Sequence, residues 1–239
     1  MKCFFCKSDT FDSKSVEHII PESLGNKQYI LGKGIVCDNC NNYFSREIEG
    51  PVQSYEDIRR LMALEDIRSK KGKRRSTTVL FGGEECQLDV TNINGEETIL
   101  LGISPEMVQK LYEGKLPEIA LLKGVNFYKF KDDYLFSRFL CKIAIECLVY
   151  NFILYDKYDE IEALVTNEIY KEIINFVRIG NRLKKPWNIT AKVLHDYMPF
   201  EKNEYYVCKC YFDDHVDDDS IVFNIEFFGT KFSIDILNE

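Results

Sequence analysis

The chain carries two C-x-x-C pairs, CFFC at 3–6 and CDNC at 37–40, with thirty residues between them. A C-x-x-C turn aims two thiolates at one point, and two such turns supply the tetrahedron of sulfurs that zinc prefers. A disulfide framework belongs to oxidising compartments, and redox chemistry accounts for one such pair rather than two. Cys3, Cys6, Cys37 and Cys40 are therefore read as ligands of a structural zinc ion. With all four positions taken by sulfur, this metal holds the fold and takes no part in chemistry. Residues 7–36 become a loop closed at its base by the ion. The loop contains His18, one of only three histidines in the chain.

The segment VEHIIPESLGNK (16–27) puts Glu17 directly before His18, with Pro21 just beyond. Directly after the second pair, Asn41 and Asn42 open a helical pattern, NNYFSREIEG, in which Ile48 follows Phe44 by four residues and EGP (49–51) ends or kinks the run. A clasp at residues 3–40 brings the start of that helix to the hairpin bearing Glu17 and His18. A carboxylate and an amide oxygen suit a hard divalent cation such as Mg²⁺ or Mn²⁺. Imidazole, mostly neutral at neutral pH, is suited to take a proton from water. The competing reading of His18 is a satisfied structural residue.

The pattern C-x2-C, then EHIIPESLGN, then VCDNCNNYFSREIEG resembles the HNH endonucleases of the ββα-metal fold, in their zinc-clasped subgroup. The resemblance covers about the first fifty residues. It implies cleavage of nucleic-acid phosphodiesters with one catalytic metal ion, His18 as general base, Glu17 as the acidic metal ligand and Asn41 as the ligand on the helix. Many members place a central asparagine before the second pair to orient the histidine. Here LGKGIV (31–36) has no amide, which leaves Asn26 or a backbone carbonyl for that task. Similar nucleases occur in restriction and anti-phage systems with variable carboxy-terminal partners, and a homodimer or a defence-system partner is compatible with this.

The net charge of −8 conceals an asymmetry: residues 1–75 hold 14 lysines and arginines against 11 acids, and the remainder 17 against 28. The excess lies in RSKKGKRR (68–75), six cations in eight residues. Alone, such a run is a solvated loop. Behind a phosphate-cutting module, Lys70, Lys71, Lys73, Arg74 and Arg75 are expected to grip a nucleic-acid backbone without reading bases. DNA is favoured over RNA as the substrate. An RNA-cutting enzyme and a catalytically degenerate, zinc-stabilised DNA-binding protein are the alternatives.

The fold class expected is α+β: an HNH module at 1–58, a basic helix and arm at 59–75, and a larger mixed α+β domain at 76–239 that positions substrate or senses a signal. Strands TTVLF and CQLDV flank a GGEE turn, PEMVQKLYEG forms a short helix ended by Gly114, and EIALLKGVNFYKF returns to strand. Residues 134–154 form a buried central helix with Cys141 and Cys147 in its core. Its charges Arg138, Lys142 and Glu146 share one stripe, read as a half-exposed, ion-paired edge or as a phosphate-facing one. A helix at 159–179 ends at Gly180, and strands YYVCKCYF, SIVFNIEFF and KFSIDI close the chain. Cys208 and Cys210 share a strand face and are assigned to packing. The acidic DDHVDDD (213–219), with His215, reads as a solvated loop, and His195 as structural. Three charges interrupt the most apolar segment, and residues 1–10 lack an apolar run, so a soluble cytoplasmic protein without a membrane span is expected.

Overall fold

A computed structural model describes residues 2–69, 71–94, 96–115, 120–121, 127–130, 133–180, 186–194, 209–213 and 220–237. The expected α+β class holds, and the described chain forms two compact units. The first comprises Met1–Gln53, Phe127–Met198 and Lys202–Glu239, and the second Ser54–Asn126 with Pro199–Glu201. Among the described residues no helix is long and apolar enough to cross a membrane.

The first unit begins with a hairpin of two short strands, β1 (Glu17–His18) and β2 (Ile30–Leu31), paired antiparallel with Glu17 opposite Leu31. Asn26 closes it. This buried amide donates to the carbonyls of Ile20 and Tyr29, and its oxygen accepts from the N–H groups of Gln28 and Tyr29. An asparagine can bond its own downstream backbone in this way, so the loop needs no longer sheet to hold its shape.

Helix α1 (Asp38–Phe44) follows. The Asp38 carboxylate at its first turn accepts from the backbone N–H groups of Lys14 and Ser15 and from the Ser15 hydroxyl. A carboxylate there also complements the helix dipole. The Ser15 hydroxyl, helped by the Ser15 N–H, holds the Asp38 pKa below its usual value. The helical path does not stop at EGP. Its turns open to i→i+5 bonding over Ser45–Glu49, where the Gly50 N–H donates to the Ser45 carbonyl, and it continues as α2 (Gly50–Gln53). Pro51 explains the widening, because it has no N–H to donate and its ring presses on the preceding turn. Gly50 fits where a Cβ would lie 3.0 Å from the Ser45 oxygen.

After the second unit, the chain re-enters the first with a helical turn at Phe127–Phe130 and α5 (Tyr134–Leu154), whose bounds match the predicted central helix. Asp133 caps it by accepting from the Phe136 N–H at 2.7 Å. The predicted helix at 159–179 is two helices, α6 (Tyr158–Thr166) and α7 (Glu168–Ile179), parted at Asn167. An antiparallel sheet in the order β7-β10-β9-β8 completes the unit. Its strands are β7 (Ile189–Val193), β8 (Lys209–Phe212), β9 (Val222–Phe227) and β10 (Thr230–Asp235). Phe136 of α5 packs edge-on against Phe232 of β10 at 5.0 Å between ring centres, and Phe176 lies 5.1 Å from Trp187. Strand β7 is absent from the sequence reading, because ITAKV alternates too weakly to stand out.

The second unit starts with α3 (Glu56–Leu64) and holds a sheet in the order β5-β4-β3-β6. Its strands are β3 (Ser76–Phe81), β4 (Glu84–Ile93), β5 (Glu96–Gly102) and β6 (Ala120–Leu121). Gly82 and Gly83, both left-handed, make the tight turn that GGEE predicts. Helix α4 (Pro105–Tyr112) is capped by the Ser104 hydroxyl, which accepts from the Met107 N–H. Leu64, Val79, Leu88 and Met107 are part of the core. Only Ala120–Leu121 of the strand expected at EIALLKGVNFYKF is strand among described residues, and Phe127–Phe130 is a helical turn.

Candidate functional site

Cys3, Cys6, Cys37 and Cys40 offer four sulfurs that all lie within 4.8 Å of one another. All four are free thiols, and Cys6 and Cys37 approach to 3.5 Å. A zinc ion with Zn–S bonds of ~2.3 Å separates its tetrahedral ligands by roughly 3.8 Å, so the set fits the ion. The local backbone builds the knuckle: Cys3 N–H donates to Ser8 O, Lys7 N–H to Cys3 O, and Cys37 N–H to the Cys3 sulfur at 3.3 Å. A hydrogen bond from Cys40 draws the Cys3 pKa down to about 4, while burial raises that of Cys37 and the bond to Cys3 raises that of Cys40. One sulfur is thus readied as a thiolate, the form that binds metal. Phe4 N–H donates to Ile35 O, and Phe5 packs against Phe44 with ring centres 4.6 Å apart. These contacts join the first knuckle to the second and to α1.

Beneath the clasp, Asn41 donates its side-chain N–H to the Val16 carbonyl at 2.8 Å. The amide of α1 is thereby fixed to the residue preceding Glu17 and His18, with its oxygen left for another partner. Glu17 is 4% exposed, and its Oε2 is buried with no hydrogen-bond partner. His18 is half-buried, and its Nδ1 also lacks a partner. Neither Asn26, spent on its own loop, nor a backbone carbonyl holds the imidazole ring at that nitrogen. These unmatched polar atoms are what a bound cation or an ordered water would satisfy.

The stripe on α5 corrects the sequence reading. Arg138, Lys142 and Glu146 are 6%, 0% and 0% exposed, and so form neither a half-open edge nor a phosphate-facing one. Lys142 places its Nζ 2.6 Å from Glu17 Oε1, 2.8 Å from Glu49 Oε1 and 2.9 Å from Glu146 Oε2. It also donates toward the carbonyls of His18 at 3.2 Å and Ile19 at 3.4 Å. Arg138 donates to the carbonyls of Phe176 and Val177 in the last turn of α7 and to the Tyr43 hydroxyl of α1 at 2.6 Å.

Three carboxylates about one buried ammonium cannot all be charged without a large desolvation cost. Burial drives the Glu146 pKa well above the ordinary carboxylate value and raises that of Glu17 against the pull of Lys142. Burial opposes the Lys142 ammonium too, yet the carboxylates outweigh it and hold its pKa well above the usual value for lysine. Lys142 is therefore the permanent cation, and Glu146 is the acid most favoured to keep its proton. The only signal for this network in the sequence is the i, i+4, i+8 spacing of charges within an otherwise apolar helix.

The basic run belongs to the second unit, and its described residues are held by hydrogen bonds linking Ser69 with Gly72 and Lys73. Ser69 N–H donates to Lys73 O, and Lys73 N–H to the Ser69 hydroxyl. Arg75 is half-buried and donates to Ile67 O, and Arg74 faces Asp66 at 3.9 Å. Lys71 and Lys73 are exposed. Lys70, His195, Cys208, His215 and most of the acidic run lie outside the described residues. Cys147 and Cys141 are buried as expected, and Cys147 meets Cys210 of β8 at 3.4 Å between sulfurs.

Residues 3–54 match the family described as HNH endonuclease, a span of less than a quarter of the chain. No curated protein and no solved structure matches the chain. The matched span contains the four cysteines, Glu17, His18 and Asn41.

Proposed function

We propose that the chain is a metal-dependent endonuclease that hydrolyses DNA phosphodiesters, with His18 as general base. The observation that carries this reading is the Asn41–Val16 hydrogen bond, which ties the helix amide to the Glu17–His18 strand inside the segment matching the HNH family. Glu17, through Oε2, and Asn41, through its amide oxygen, would hold a Mg²⁺ or Mn²⁺ ion. Such an ion would supply charge stabilisation to the phosphodiester as it reacts.

The remaining work belongs to the protein. His18 accepts a proton from a water in line with the scissile phosphorus. The new P–O bond forms as the bond to the 3′ oxygen breaks, and that oxygen is protonated from solvent. General-base assistance of this kind contributes roughly 10²–10⁴ in rate. Lys71, Lys73 and Arg74 are exposed on the basic turn and would meet a phosphate backbone. A role in restriction or anti-phage defence belongs to the same reading and rests on the sequence resemblance alone.

Purified protein incubated with plasmid, single-stranded DNA and RNA, with Mg²⁺, Mn²⁺ or EDTA, tests the reading. Cutting of DNA that needs the divalent ion and falls at least roughly 10²-fold in His18→Ala is expected. Metal-dependent cutting that survives the substitution removes His18 as the base. The Lys142–Glu17 pair favours one second reading, a zinc-stabilised protein that binds nucleic acid without cutting it, because a built-in cation already neutralises part of the carboxylate. Binding with no cleavage under any of these metals would establish it.

A further inference from the structure

Lys142 lies 124 residues downstream of His18, outside the matched span, yet its ammonium is enclosed by the strand that carries the proposed chemistry. Around it stand five oxygens, from the side chains of Glu17, Glu49 and Glu146 and from the carbonyls of His18 and Ile19. A lysine buried only for packing has no need to gather the carbonyls of the last residue of β1 and of the residue that follows it. We propose that Lys142 is a positioning residue of the nuclease site, an inference that rests on the function proposed above. By holding Glu17 Oε1, it turns the unpartnered Oε2 into the atom Glu17 offers to a divalent ion. By holding the carbonyls of His18 and Ile19, it fixes the strand from which the imidazole projects. Glu49, brought inward where the helix widens before Pro51, and Glu146, one turn along α5, hold the ammonium from two further sides.

Partners one step removed from a metal site commonly change metal affinity or activity by about 10–100-fold when removed. The test uses the full chain with zinc bound, comparing the parent with Lys142→Met and Lys142→Arg. Three quantities are measured: the melting transition, Mn²⁺ affinity by electron paramagnetic resonance without nucleic acid, and kcat and KM on plasmid DNA. Folded variants are expected to lose about tenfold or more in both Mn²⁺ affinity and kcat with KM little changed, and Lys142→Arg to lose less than Lys142→Met. A folded variant with parental Mn²⁺ affinity and kcat overturns the proposal. Should Lys142→Met fail to fold, Lys142→Arg decides. Failure of both to fold assigns the lysine to the core alone and overturns the proposal as well. A parent that neither cuts nucleic acid nor binds Mn²⁺ through Glu17 refutes the function itself, whereas an active parent with an indifferent Lys142 refutes only this inference.

Discussion

Glu146 is the residue whose protonation the fold most plainly dictates. It has no solvent exposure, and burial lifts its pKa well above the ordinary carboxylate value. A carboxyl raised in the folded state keeps a proton that the unfolded chain has released. Its stabilising contribution is complete below the unfolded pKa and is lost as pH rises through the folded one. Glu146→Gln, which imitates the protonated acid, should be at least as stable as the parent at pH 8. Its stability should also fall less steeply between pH 5 and pH 8, as read from urea midpoints. The slope will not vanish, because Glu17 is shifted in the same direction. Equal slopes for parent and variant would show Glu146 to be charged in the folded protein. What the sequence reveals at this scale is uneven. The cysteine spacing discloses the clasp, because a metal site is written in ligand type and interval. The partner of Glu17 was hidden, because no local pattern reports which distant helix supplies a cation.

Helices α5 and α7 meet through polar groups as well as apolar ones. In the last turn of α7 the Phe176 carbonyl accepts the Gly180 N–H at 3.0 Å, and the Arg138 guanidinium donates to it and to the Val177 carbonyl, which supplies a donor where a helix end lacks one. Gly180 follows at φ +69°, and a Cβ there would lie 3.0 Å from Arg138 Cζ and 3.1 Å from the Tyr134 hydroxyl. Gly180→Ala therefore imposes a left-handed alanine and crowds the guanidinium. A loss of about 1–2 kcal/mol is expected from the backbone alone, measured by urea denaturation. An unchanged midpoint would mean that the α7 terminus relaxes freely around the added methyl. The bounds of α5 were legible because an apolar run of that length admits no other element, and the Gly180 stop was legible for its left-handed preference. The break at Asn167 was not, since the apolar pattern runs through it. At EGP the sequence left an end and a kink both open, and the helix continues there through a widened turn.

At the scale of the molecule, the segment that matches the HNH family is part of a larger body. Residues 1–53 share their unit with α5, α6, α7 and the β7–β10 sheet, and the lysine that neutralises Glu17 comes from α5. A zinc-loaded peptide of residues 1–58 should bind the ion through its four cysteines and yet show no cooperative melting by circular dichroism, because Glu17 and Glu49 would lose their buried counter-charge. A sharp melting transition in that peptide would show the module to be self-sufficient. In the whole chain, stripping the zinc with a strong chelator should lower the melting temperature of the first unit. Structural zinc of this kind carries an apparent binding energy of about 10–16 kcal/mol, which becomes folding energy where the site is absent from the unfolded chain. An unaltered transition after verified metal loss would argue against the ion as a clasp.

The polypeptide leaves the first unit at Gln53 and rejoins it at Phe127. A ribosome synthesising this chain must therefore deliver the entire second unit before α5 emerges. Until that moment Glu17 has no counter-ion and the proposed active strand has no anchor. Under the proposed function, order of manufacture would act as a safety catch: a nascent product would lack the anchored strand, and any cutting would await translation past Lys142.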